Sequence, residues 1–170
     1  MSVKSTSTRH ADDFQEQFIL KRVLFLCTGN SARSQMSEAL LRVLGGNDYE
    51  VYSAGTTPGS EVNPFALKVL RQRGIDTNGL HPKKLDQFLE EDFDLVVTVC
   101  DRAKQECPVF LGAKSLDHWS LEDPAAFEGT YEEILTKFRD TRDEIESRIR
   151  DYLLQGKLYD NPLKSLHLQS

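Results

Sequence analysis

Val23-Leu24-Phe25-Leu26-Cys27-Thr28-Gly29-Asn30-Ser31-Ala32-Arg33-Ser34 carries four apolar residues into a cysteine, a loop of small residues, and an arginine. A continuous apolar run of this length suits a strand buried on both faces, which fixes where the sulfur emerges. Thr28, Gly29, Ser31 and Ala32 are small enough for the backbone to curl round an anion and aim successive N–H groups at it. A helix expected from about Ser34 adds unpaired N–H donors and the positive end of its dipole. Arg33 brings a planar fork that matches two oxygens of a tetrahedral oxyanion. In that setting Cys27 is expected to be a nucleophile with a lowered pKa, because helix N-termini and adjacent arginines bring thiols from about 8.5 to roughly 3.5–7.5. The competing reading, a small core residue at a strand end, fits a lone cysteine better than it fits this loop.

The pattern around the loop sets the fold class. Strand-like segments at 21–27, 49–53, 93–99 and 114–118 alternate with helical ones at 34–44, 64–73 and from 130 onward, with a short helical turn at 85–89. Gly45-Gly46 stops the first helix, Asn63-Pro64 opens the second, and Thr130-Tyr131-Glu132-Glu133 has capping-box spacing for the last. Ile134, Phe138, Ile145, Ile149 and Tyr152 are its expected buried stripe. This order predicts an α/β domain with a four-stranded parallel sheet flanked by helices on both faces. Ligands in such sheets sit beyond the carboxyl ends of strands, where both Cys27 and Cys100 fall. Residues 21–155 form the expected domain, with an N-terminal extension (1–20, including a short helix from Ala11) and a C-terminal tail (156–170).

Composition narrows the partners. At 170 residues the chain can bury a core without metal or disulfide support. A net charge of −6 and a pI near 5.2 argue against nucleic acid or an anionic membrane as partner, though not against a small anion held in a local cradle. Three cysteines are too few and too odd for a secreted disulfide framework. With no secretory signal and no membrane span in view, a soluble cytoplasmic protein is expected.

The other two thiols stand in Cys100-Asp101-Arg102-Ala103-Lys104-Gln105-Glu106-Cys107. Seven residues of helix span about 10.5 Å, whereas a disulfide needs Cα atoms within roughly 4.4–6.8 Å. The two cannot pair while the segment between them is helical; pairing requires it to loop out. A structural zinc site wants four ligands, and no Cys-x2-Cys or paired histidine accompanies them. Beside an oxyanion loop, a thiol pair suits reduction of the bound anion, which needs one nucleophile and further thiols to take over the electrons. Asp123-Pro124 completes the set: a carboxylic acid above the loop can protonate a leaving oxygen, although Asp-Pro is also a common turn.

Together these residues resemble the arsenate reductases built on the low-molecular-weight tyrosine phosphatase fold, in particular the thioredoxin-coupled class. Besides the loop through Gln35-Met36, Tyr52-Ser53-Ala54-Gly55, Val62-Asn63-Pro64, Leu95-Val96-Val97-Thr98, Cys100, Cys107-Pro108, His118-Trp119, Asp123-Pro124-Ala125 and Arg142-Asp143-Glu144-Ile145 recur in order. The resemblance implies that Cys27 attacks arsenate held by the loop amides and Arg33, with Asp123 as acid. Cys100 would then attack Cys27 and expel arsenite, and Cys107 would take over the disulfide and present it to thioredoxin. It further implies that Ser34 hydrogen-bonds the Cys27 thiolate, that Asn30 holds the loop's shape, and that phosphate or sulfate can mimic the substrate. Many members carry a cysteine where Ala32 stands, a thiol with no place in the relay. Some bind potassium through residues placed like Asn30, Glu38 and Ser53; here Lys83 or Lys84 could supply the positive charge, and no metal or other bound cofactor is expected. The protein is expected to act as a monomer. Two other functions stay open: a phosphatase using Cys27, Arg33 and Asp123 alone, and an oxyanion-binding or redox-sensing protein without turnover.

Overall fold

A computed structural model describes residues 19–106, 110 and 112–159. The strands β1 (Lys21–Cys27), β2 (Tyr49–Gly55), β3 (Phe93–Thr98) and β4 (Ala113–His118) form one sheet in the order β2-β1-β3-β4, every pair parallel. The helices are α1 (Arg33–Gly45), α2 (Pro64–Gln72), α3 (Asp101–Glu106) and α4 (Tyr131–Tyr159). The strand order doubles back at β1: the chain leaves it on one side to make β2 and returns on the other to make β3. The crevice above the β1 and β3 ends is therefore the topological switch point, where this architecture opens a ligand site. Register places Cys27 opposite Gly55 and Leu26 opposite Thr98, so Cys27, at the carboxyl end of β1, and Cys100, two residues past β3, emerge from neighbouring central strands at the same end of the sheet.

The alternation of side chains along each strand divides the core in two. Val23, Phe25, Val51, Leu95 and Val97 face α1, α2 and α4, while Leu24, Leu26, Ala54 and Val96 face Leu85, Phe88, Phe93 and Phe110. The two faces are covered unequally: the long helices lie on the first, and the 3-10 turn Leu85–Phe88 serves the second. Asn63 caps α2 as expected, its side chain accepting from the Phe65 N–H at 2.9 Å. The capping box of α4 is formed in both directions, Thr130 N–H to Glu133 at 2.8 Å and Glu133 N–H to Thr130 Oγ1 at 3.3 Å.

The buried stripe of α4 differs from the expected one. Leu135, Phe138, Ile145, Ile149 and Leu153 are buried, whereas Ile134 and Tyr152 are only partly so. Thr141, Arg142 and Glu146 are buried in the same stripe. Arg142 donates to the Val69 carbonyl at 2.9 Å, and Glu146 accepts two hydrogen bonds from Arg73. Thr141 donates to the Lys137 carbonyl of its own helix at 3.0 Å, while Arg142 and Glu146 are satisfied by partners on α2 and the residue after it, which apolar periodicity cannot reveal. The helix also continues through Gly156 to Tyr159, four residues beyond the expected domain end. Of the short helix expected from Ala11, residues 11–18 lie outside the described residues, and residues 19 and 20 precede β1 without regular structure.

Candidate active site

A loop that turns its N–H groups inward must send its carbonyls outward, and those carbonyls need donors. The segment after β2 supplies them. Thr56, Thr57, Gly59 and Asn63 N–H groups donate to the Cys27, Thr28, Gly29 and Ser31 carbonyls at 2.8–3.2 Å. Gln35 Nε2 donates to the Asn30 carbonyl at 3.0 Å, and Met36 N–H to that of Ala32 at 2.9 Å, so every carbonyl from 27 to 32 is held. Gly55 permits the close approach: a Cβ there would stand 2.5 Å from the Thr28 carbonyl oxygen. Among the described residues no side chain caps α1 and no acidic residue stands in its first turn, which leaves its amino end open to an anion.

Asn30 is the hinge of the loop. Its φ of 46° lies in the left-handed region, which asparagine tolerates better than most residues. The buried side chain donates to Ser34 Oγ at 2.8 Å and Ser53 Oγ at 3.0 Å, and accepts from the Lys83 N–H at 2.7 Å. Its backbone N–H points at Cys27 Sγ, 3.0 Å away, and Ser34 Oγ lies 2.8 Å from the same sulfur.

The expected low pKa of Cys27 is not found. Burial pushes the thiol above its ordinary value; the hydrogen bonds from Ser34 and the Asn30 amide pull it down without overcoming that, and the nearby Cys100 adds to the rise. Arg33, which the sequence suggests as a stabilising charge, is engaged by other partners: it donates to the Leu121 carbonyl at 3.0 Å and lies 3.4 Å from Asp123. A raised pKa means that the thiolate fraction keeps growing with pH. Iodoacetamide capture of Cys27 in the anion-free protein is therefore expected to rise through pH 9, and Ser34→Ala is expected to move the curve to higher pH. A plateau below about pH 7.5 would contradict this. The sign for stability is the same: the folded state holds this proton more tightly, so the contribution is full below the ordinary thiol pKa and is lost as pH rises through the raised one.

Cys27, the loop from Thr28 to Arg33, Cys100, Leu121 and Asp123 line one cavity of about 540 Å³. Ser34 lies buried behind the loop, with its hydroxyl on Cys27. Cys100 Sγ is 3.6 Å from Thr28 Oγ1 and accepts from the Ala103 N–H at 3.3 Å; both described cysteines are free thiols. Asp123 caps a 3-10 turn, accepting from the Ala125 N–H at 3.0 Å, with its second oxygen toward Arg33. Cys107 lies outside the described residues. The potassium question turns on Glu38, which is buried, accepts from Ser53 Oγ, and is met by Lys83 Nζ at 3.2 Å. Lys84 pairs instead with Asp86. Among the described residues no cluster of three or more His, Cys, Asp or Glu could hold a metal, and no helix is long and apolar enough to cross a membrane.

Sequence reading missed the scaffold of residues 56–63, the role of Gln35 and the Leu121 carbonyl. The first was detectable in principle, since six outward carbonyls demand donors; Gln35 is legible only as part of the loop motif, without its role, and the Leu121 carbonyl carries no sequence signal.

Residues 22–164 match the family described as low molecular weight phosphotyrosine protein phosphatase. An arsenate reductase of Halalkalibacterium halodurans is 44% identical over 137 residues, covering 81% of this chain and 98% of that protein. A structure described as an arsenate reductase in the phosphate binding state superimposes with a TM-score of 0.69 at 28% identity, covering 80% of this chain and 98% of that one. The thioredoxin-dependent arsenate reductase of Corynebacterium glutamicum gives 0.61 at 34% identity, over 83% of this chain and 64% of that one. The cysteine-bearing oxyanion loop at the switch point of a parallel sheet thus carries its lineage with it: the chain belongs to the low molecular weight phosphotyrosine protein phosphatase family and, within it, to the arsenate reductases.

Proposed function

We propose that the reduction of arsenate to arsenite runs here through a relay of Cys27, Cys100 and Cys107, re-reduced by thioredoxin in the cytoplasm, with the protein acting as a monomer. The observation that carries this is the single cavity onto which Cys27, Cys100, Arg33 and Asp123 all open. Arsenate enters with the loop N–H groups from Thr28 to Ser34 around its oxygens, and Arg33 trades the Leu121 carbonyl for two of them. A buried thiolate beside a dianion would be costly. The Cys27 proton therefore passes to the arsenate as it binds, which reconciles a raised thiol pKa with nucleophilic attack.

Cys27 sulfur bonds to As(V) while one As–O bond breaks, and Asp123 protonates the departing oxygen so that it leaves as water. Cys100 thiolate then attacks Cys27 sulfur. The S–S bond forms, the S–As bond breaks, and its electron pair stays on arsenic, which leaves as arsenite, As(III). Two thiols have been oxidised to one disulfide, a two-electron balance. Cys107 thiolate attacks Cys100, Cys27 leaves as thiolate, and thioredoxin's dithiol reduces the Cys100–Cys107 disulfide. Purified protein with thioredoxin, thioredoxin reductase and NADPH is expected to sustain arsenate-dependent NADPH oxidation with arsenite as product. Absence of arsenite together with phosphate-ester hydrolysis would sink the relay in favour of a phosphatase using Cys27, Arg33 and Asp123, groups that suffice for phosphate.

We further propose that Lys83 takes the place of a potassium ion behind the loop. Its ammonium reaches Glu38 at 3.2 Å and the His81 carbonyl at 2.9 Å. Wild-type rates are expected to be equal in potassium and sodium salts, and Lys83→Met is expected to create a potassium-dependent enzyme. Potassium activation of the wild type would overturn this.

A further inference from the structure

The relay asks two opposite things of Cys100. It must be held still to attack Cys27, then released to meet Cys107. The helix that follows it is poorly equipped to hold it. α3 has six residues, far below the length at which a helix is stable alone, and within Asp101–Gln105 only Ala103 is buried. Whether its first turn stays folded is therefore decided by tertiary contacts at that turn.

One such contact stands out. Asp101, the residue after Cys100, accepts from His118 Nε2 at 2.8 Å and from Ser120 Oγ at 3.1 Å with the same oxygen. The other ring nitrogen of His118 lies 2.7 Å from Thr98 Oγ1, at the end of β3. A neutral ring satisfies both, with the Thr98 hydroxyl donating to Nδ1 and Nε2–H donating to Asp101. The two halves of this contact differ in freedom. His118 ends β4, is paired in register with Thr98, and has a side chain only 19% exposed; Asp101 has a side chain 71% exposed and rides on α3. The imidazole is fixed to the sheet, and the carboxylate can leave with the helix. The hydrogen bonds from His118 and Ser120 hold the Asp101 carboxyl below its ordinary range, as expected of a contact made in the folded state.

We propose that Asp101 and His118 are positioning residues for Cys100: their contact holds the first turn of α3 closed while Cys100 attacks Cys27, and it must break before Cys100 can be handed to Cys107. The inference deepens the relay and rests on it for its purpose, but the contact can be tested without arsenate. Breaking it should favour opening and disfavour the closed state, giving rate effects of opposite sign that a general loss of structure would not produce.

The experiment uses the full-length reduced protein and reads capture of each thiol by iodoacetamide, peptide by peptide, by mass spectrometry. Cys100 is buried at the wall of the cavity that it shares with Cys27, so the change in its capture relative to Cys27 reports the population of the opened turn. Asp101→Ala and His118→Ala are each expected to raise Cys100 capture about three- to fivefold relative to Cys27, the scale of an exposed but doubly bonded pair. The double variant should go no further than either single one. Asp101→Asn, which keeps the acceptor oxygen, should stay near wild type, and this variant with His118→Gln serves if an alanine variant fails to fold. In a single turnover with arsenate, Asp101→Ala should release arsenite more slowly yet form the Cys100–Cys107 disulfide faster once Cys27–Cys100 exists. Unchanged Cys100 capture in both single variants, or effects that simply add, would overturn the proposal whatever the arsenate assay gives. Altered capture in a protein that makes no arsenite would instead remove the relay and leave the contact standing.

Discussion

Cys107→Ser is expected to yield one arsenite per protein molecule and then stop. The first two steps need only Cys27, Cys100, Arg33 and Asp123, which line the cavity together, so arsenic is reduced and the Cys27–Cys100 disulfide accumulates. Both sulfurs are buried, and an outside reductant must reach them directly in place of a tethered thiol. A tethered thiol acts at an effective concentration of order mM or more, against micromolar reductant, so steady turnover should fall by about a thousandfold. Phosphate-ester hydrolysis, where present, should survive the substitution, because it needs no second thiol. Quenched-flow arsenite counts with mass-spectrometric disulfide mapping check both parts. Sustained turnover in Cys107→Ser would mean that thioredoxin reduces Cys27–Cys100 itself and that the third thiol is incidental.

Asn30→Ala should cost the protein both stability and activity. The substitution leaves Ser34 Oγ, Ser53 Oγ and the Lys83 N–H without the Asn30 side chain, and asks alanine to hold a φ of 46°. Ser34 and Ser53 keep Cys27 and Glu38 as partners, so the Lys83 N–H is the group left unpaired, at about 1–3 kcal/mol, and the left-handed backbone adds about 1 kcal/mol. Such losses in one network are not additive, so about 3 kcal/mol is expected, or a Tm lower by about 6–12 °C for a chain of this size. Because the same residue aims its N–H at Cys27 Sγ and fixes the loop, kcat/KM for arsenate should fall about 100- to 1000-fold. Asn30→Gly separates the causes: it recovers the backbone cost but none of the hydrogen bonds, so it should regain some Tm and little activity. Near-wild-type activity in Asn30→Ala would show that residues 56–63 alone hold the loop.

Much of the fold was legible because its signals are local. The apolar run before Cys27 and that of Phe93–Thr98 became adjacent parallel strands, Asn63-Pro64 and the Thr130–Glu133 box became real caps, and the loop motif stands where the strand ends. The stripe of α4 is one residue off at both ends, Leu135 and Leu153 standing where Ile134 and Tyr152 were expected, and it takes in Arg142 and Glu146 through partners on and just after α2, not through hydrophobicity. The thiol pKa goes the other way because burial, the largest influence on Cys27, is decided by the fold and not by its sequence neighbours. Adjacency of Cys27 and Arg33 in sequence says nothing of where the guanidinium points, and the folded chain turns it to Leu121 and Asp123.

What the sequence determined by itself is the chemistry available: a thiol in a small-residue loop, an arginine to close it, a pair of thiols unable to meet across a helix, and the strands and caps that frame them. Those follow from side-chain size, charge and spacing along a few residues. The tertiary structure alone decided which of these groups share a site. The order β2-β1-β3-β4 puts the ends of β1 and β3 side by side and gathers Cys100 and Asp123 over a loop 73 and 96 residues before them. Strand order is set by which faces bury best against which helices, a balance summed over the whole core, so no local stretch encodes it. The same balance brings Lys83 to Glu38 and Asp101 to His118, contacts that come into being only when the sheet is assembled.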